Sequence, residues 1–153
     1  MAHALGAVLG AMIGDALGAP LGGRDPLAVT AGEVEKALEM CGGGSWGVAP
    51  GQVTGNSELT LCLAESLAEA QDPVAAFPVE DLAVRYGKWG KTFPFRGDRS
   101  CLQAFQRPLP AENMKERAKE VNQKAEGSGC LIRCAAFSVL AASHTSSAQV
   151  LRL

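Results

Sequence analysis

Aromatic residues are scarce in this chain of 153 residues: two Trp, one Tyr and five Phe, 5% in all. That argues against a β-sandwich filled by aromatic side chains. Charge of one sign is lacking too. Fourteen Lys and Arg against sixteen Asp and Glu leave a formal net charge of −2, which excludes a strongly basic nucleic-acid footprint. The five cysteines, Cys41, Cys62, Cys101, Cys130 and Cys134, contain no CxxC pair, so neither a zinc ribbon nor a thioredoxin motif is present. Cys130 and Cys134 lie one helical turn apart and are expected to be two small buried residues on one helix face. A reducing cytoplasm is the expected compartment. The N-terminal run resembles a signal peptide but lacks a basic start, and Asp15 interrupts it. No run of about 20 strongly apolar residues stands out, so no membrane span is expected.

Hydrophobic residues are abundant at 47%, and charged residues make up 20%, enough to build a core. One domain of this length buries about 70% of its unfolded surface. Glycine is over-represented at 18 residues, above the typical share of about 7%. Gly6, Gly10, Gly14 and Gly18 recur every four residues, a spacing that gathers them on one helix face and invites another helix to pack closely. Residues 4–18 therefore read as a buried helix ended by Pro20 and Gly22-Gly23.

Thr30 and Glu33 form a capping box for a short helix that stops at Cys41 and the Gly42–Gly44 run. Residues 42–55 are a Gly-rich loop. From Asn56 to Ala70, the positions of Leu59, Cys62, Leu63, Ser66, Leu67 and Ala70 share a helical face. Further helices are expected from Val79 to about Lys88, from Asp98 as N-cap through Gln106, over 111–124, and over 130–142 after the Gly127-Ser128-Gly129 turn. No segment alternates like a strand. The predicted class is all-α.

Three segments, in order, resemble the ADP-ribosylglycohydrolase family. GAVLGAMIGDALGAPLG, residues 6–22, resembles the family's opening helix with its Gly-Asp-x-x-Gly element. GQVTGNSELTLCLAESL, residues 51–67, is similar to its Gly-x-x-Thr-Asp-Asp-Ser/Thr loop and following helix. GSGCLIRCA, residues 127–135, is similar to its Asn-Gly-Ser-x-Met-Arg element. Tyr86, Trp89, Gly97 and Cys101 also fall where family members tend to carry such residues. The resemblance implies an all-α, shortened orthogonal helix bundle: one domain over 1–153, expected to be incomplete at its C-terminus. It also implies a magnesium-dependent hydrolase that removes ADP-ribose from protein side chains.

The resemblance assigns metal binding to Thr54, with Gly55 in place of a carboxylate and Asn56 as a neutral amide. Magnesium prefers hard, charged oxygen ligands. The family often carries a Glu where this chain has Gly22, and its later Asp-rich element has no counterpart before Leu153. Thr54 through Ser57 also read as a helix N-cap, and Asp15 as a hydrogen-bonded structural carboxylate. Ligand binding is assigned to Gly127, Ser128, Gly129, Cys130, Arg133 and His144. A Gly-rich turn at a helix start suits a diphosphate, although Glu126 stands in the family's Asn position. His144 also reads as a surface histidine. No catalytic residue is assigned. Three readings follow: an active hydrolase, a non-catalytic ADP-ribose-binding or structural relative, or a truncated product. Expected partners are ADP-ribose or an ADP-ribosylated protein, with no nucleic acid, no membrane, and self-association through an exposed helix face.

Overall fold

The computed structural model describes residues 2–125, 127 and 129–142. Ser128, Glu126 and His144 lie outside the described residues. Helices α1 (Ala2–Gly18), α2 (Ala31–Leu38), α3 (Gly55–Glu69), α4 (Val79–Gly90), α5 (Arg99–Ala104), α6 (Ala111–Val121), α7 (Gly129–Ile132) and α8 (Cys134–Ala142) carry the architecture. Among the described residues there is no strand, only an isolated antiparallel bridge between Gly43 and Val48. The all-α class holds.

Local chemistry sets most helix starts. Thr30 and Glu33 form the expected capping box, with the Glu33 carboxylate accepting from Thr30 N at 2.9 Å. That backbone bond, then the Thr30 hydroxyl and Arg24, holds the Glu33 carboxyl down to about 2. The Asp98 carboxylate accepts from Cys101 N at 3.2 Å to open α5. Glu80 reaches across from α4 to Ala111 N at 3.0 Å, so α6 is capped by another helix.

Helix α3 is the centre of the packing. Leu59 anchors one core with Ala83, Tyr86, Trp89, Cys101, Ala111 and Met114, between α4, α5 and α6. Four residues on, Leu63 anchors a second core with Leu67 and Ala136 of α8. On the surface, Arg85 of α4 donates to Glu65 and Glu69 of α3 and to Asp81 of its own helix. Exposed pairs of this kind stabilise by at most about 1 kcal/mol each.

Several expectations are corrected. Helix α1 forms but is not buried: Leu5, Leu9 and Ile13 are 62%, 45% and 49% exposed. A side-chain carbon added at Gly6, Gly10, Gly14 or Gly18 would meet nothing within 4 Å, so among the described residues no helix packs on the glycine face. Among these positions only Ala16, followed by Ala19 and Pro20, reaches the interior. The absence of a long apolar run also fails. Ala4–Leu21 is 18 residues with mean hydropathy 1.6, long and apolar enough to cross a membrane by length and composition. Its Ala, Leu, Val, Met and Ile residues outweigh one Asp and the glycines. The expected 130–142 helix is broken at Arg133 into α7 and α8. Cys130 and Cys134 are exposed rather than buried: α7 buries none of its residues and α8 buries only Ala136.

Candidate functional site

Thr54 ends the Gly-rich loop in extended backbone and caps α3, its hydroxyl accepting from Asn56 N at 3.3 Å. The loop is then pinned from α1. Asp15 Oδ2 accepts from Thr54 N at 2.7 Å and from Ser57 Oγ at 2.7 Å. Asp15 Oδ1 accepts from Thr54 Oγ1 at 2.8 Å. Three donors thus converge on one partly buried carboxylate, and such charge-assisted bonds are the strong class. Asp15 is a hydrogen-bonded structural carboxylate, as its sequence context suggests.

Two indole rings wall this loop. A carbon added at Gly55 would lie 2.9 Å from Trp89 Cζ2 and 3.1 Å from Gly97 Cα. Trp89 Nε1 donates to Glu58 Oε2 at 2.7 Å, which occupies the nearest remaining carboxylate of α3. At Gly22 an added carbon would fall into the Trp46 ring, and at Gly23 it would lie 2.8 Å from Trp46 Nε1. Positions 22 and 55, two of the three where the resemblance expects carboxylates, therefore have no room for a side chain as the chain is folded.

The group implied by the resemblance is magnesium, and the residues present do not fit it. Asp15 already satisfies three donors, Asn56 offers a neutral amide, and Gly22 and Gly55 are closed by aromatic rings. Among the described residues no three His, Cys, Asp or Glu side chains are grouped as a metal would need.

A second cluster lies at the expected phosphate turn. Gly127, Gly129, Cys130 and Arg133 line one cavity of about 260 Å³ with Asp98, Cys101 and Asn122. Arg133 points inward: its Nη1 donates to Cys101 Sγ at 3.5 Å, and its guanidinium stands 6.0 Å from the centre of the Tyr86 ring. Burial pushes the Cys101 thiol up, against the pull of Arg133. Burial likewise pushes the Tyr86 hydroxyl up to about 12. Asn122 Oδ1 is buried here without a hydrogen-bond partner among the described residues. The positive end of a helix is weaker than expected, because α7 is a single turn of four residues. The carboxylate of Asp98 also stands beside both glycines.

The structure brings Gly127, Gly129, Cys130 and Arg133 together but leaves Thr54 and Asn56 outside that cavity. The link between the two groups is Gly97-Asp98: Gly97 touches the Gly55 side, and Asp98 lines the cavity. Sequence reasoning missed the roles of Trp46, Glu58 and Asn122.

A sequence profile of the family described as ADP-ribosylglycohydrolase matches residues 1–153. The chain is also similar to the ADP-ribosyl-[dinitrogen reductase] glycohydrolase of Rhodospirillum rubrum, 28% identical over 151 residues. The match covers 96% of this chain and 47% of that relative, so the chain spans about half the relative's length.

Proposed function

Because the chain belongs to the ADP-ribosylglycohydrolase family, we propose that it is a catalytically impaired member that retains recognition of ADP-ribose. The family reaction is magnesium-dependent hydrolysis of the glycosidic bond between ADP-ribose and a protein side chain. The observation that carries the impairment is the state of residues 54–57. Their one carboxylate partner is spent on Thr54 and Ser57, and Trp89 closes Gly55.

Recognition rests on the cavity at Gly127, Gly129, Cys130 and Arg133, where the buried Asn122 Oδ1, without a partner among the described residues, is the acceptor offered to a ribose hydroxyl. Arg133 supplies the positive charge for a diphosphate, and Asp98 opposes it, so modest affinity follows. The partner on this reading is ADP-ribose or an ADP-ribosylated protein in a reducing cytoplasm, in keeping with the free thiols of all five cysteines.

Calorimetric titration with ADP-ribose tests this directly. Binding is expected, unchanged by magnesium, with no ADP-ribose released from a modified protein. Turnover that requires magnesium would overturn the impairment. An absence of heat at millimolar ADP-ribose would overturn the recognition.

The exposed apolar face of α1, with Leu5, Leu9 and Ile13, supports self-association. Light scattering is expected to give a mass above 15.8 kDa that grows with concentration. A monomer throughout would remove that reading.

A further inference from the structure

The closure of positions 22 and 55 is one arrangement rather than two accidents. Trp46 lies against Gly22 and Gly23, and Trp89 lies against Gly55. The loop of residues 92–98 connects them. Its Arg96 guanidinium stacks on the Trp46 ring at 4.9 Å from the ring centre. Its Phe95 carbonyl accepts from Gly55 N at 3.3 Å. Its Gly97 lies so close to Trp89 that an added carbon would be 3.1 Å from Cη2.

The loop also carries backbone strain. Phe93 and Arg96 sit at φ 54° and 51°, in the left-handed region that side chains other than glycine rarely adopt. Such strain persists only where surrounding contacts hold it. For Arg96 the visible restraint is its stack on Trp46, an interaction between a cation and the negative face of an aromatic ring.

We infer that Trp46, Arg96 and Trp89 form an internal clasp that joins residues 20–23, 54–57 and 92–97 without a divalent cation. The guanidinium of Arg96 supplies the positive charge, and the two rings fill the space that carboxylate side chains would need. The inference rests on the family assignment but not on ADP-ribose recognition, and its readouts are independent of that ligand.

Hydrogen exchange of the full chain, followed by mass spectrometry, tests it in the absence of ADP-ribose. Trp46→Ala is expected to speed exchange by roughly tenfold or more in both 20–24 and 92–97, leaving α8 unchanged. Trp46→Phe keeps a ring under Arg96 and is expected to restore most of the protection. Arg96→Ala is expected to loosen 92–97 and 20–24 together. If 92–97 keeps its native protection in Trp46→Ala, the clasp is overturned. Magnesium added to the unaltered chain is expected to change neither the exchange of 54–57 nor the melting temperature. Magnesium-dependent protection at 54–57 would overturn the inference even if the variants behave as expected.

Discussion

Asp15→Ala is expected to cost about 3 kcal/mol or more, because it leaves three donors without their acceptor. Thr54 N, Thr54 Oγ1 and Ser57 Oγ all point at this carboxylate, and both Thr54 and Ser57 are 3% exposed. Hydrogen bonds to a charged group contribute roughly 1.5–3 kcal/mol each, but three on one partly buried carboxylate do not add fully. A figure below the low end of that sum, about 3 kcal/mol, is therefore expected as the minimum. For a chain of this length, about 3 kcal/mol lowers Tm by roughly 6–12 °C. Asp15→Asn keeps one acceptor oxygen but turns an NH₂ group toward a donor, so an intermediate loss of about 1–2 kcal/mol is expected. Thermal melts followed by circular dichroism check both variants. An Asp15→Ala protein melting with the unaltered chain would show that the 54–57 loop is held by something else. Because Asp15 is the point at which α1 reaches α3's first turn, the same variant should also loosen α1.

How much of this was legible in the sequence depends on distance along the chain. The caps were legible because donor and acceptor sit within a few residues: Thr30 with Glu33, Asp98 with Cys101, Thr54 with Asn56. Their geometry follows from helix starts alone. The apolar face of α3 was legible for the same reason, since a period of 3.6 places Leu59, Leu63, Ser66 and Leu67 together, and all four are buried. That Asp15 binds Thr54, 39 residues away, was not legible. It depends on how α1 is set against α3, which no local pattern encodes. Trp46 was hidden in another way. It lies in a loop without periodicity, so nothing in its neighbours assigned it a face. The reading of α1 as buried failed because a glycine stripe says only that a close approach is permitted. The described residues put nothing there. The family resemblance located the 54–57 loop and the 127–133 turn. It could not show that Gly22 and Gly55 are closed by rings, since glycine in a sequence is silent about what fills the space beside it.

Trp89 is where the second large effect is expected. Its ring is 6% exposed and belongs to the core with Leu59, Tyr86 and Met114. It meets Phe105 edge-on, with 6.4 Å between ring centres. Truncating a buried Trp to Ala typically costs about 3–5 kcal/mol from lost transfer energy and the cavity left behind. Here the cavity opens beside Gly55 and Gly97, and Glu58 loses the indole donor at 2.7 Å. The upper part of that range is therefore expected. Trp89→Phe separates the two contributions. It keeps an aromatic ring in the core but removes the N–H group, leaving a partly buried carboxylate short of one bond at a cost of about 1–3 kcal/mol. Glu58→Gln keeps an acceptor for the indole and is expected to cost less than either. Urea unfolding with the slope held common to all variants orders them. The expected sequence of falling midpoints is Glu58→Gln, Trp89→Phe, Trp89→Ala. Equal midpoints for Trp89→Phe and the unaltered chain would show that the indole–carboxylate bond contributes nothing. A Trp89→Ala midpoint no lower than that of Trp89→Phe would show that the space beside Gly55 collapses once the ring is gone. In that case the steric closure of position 55 would be a consequence of Trp89 rather than a fixed feature of the loop.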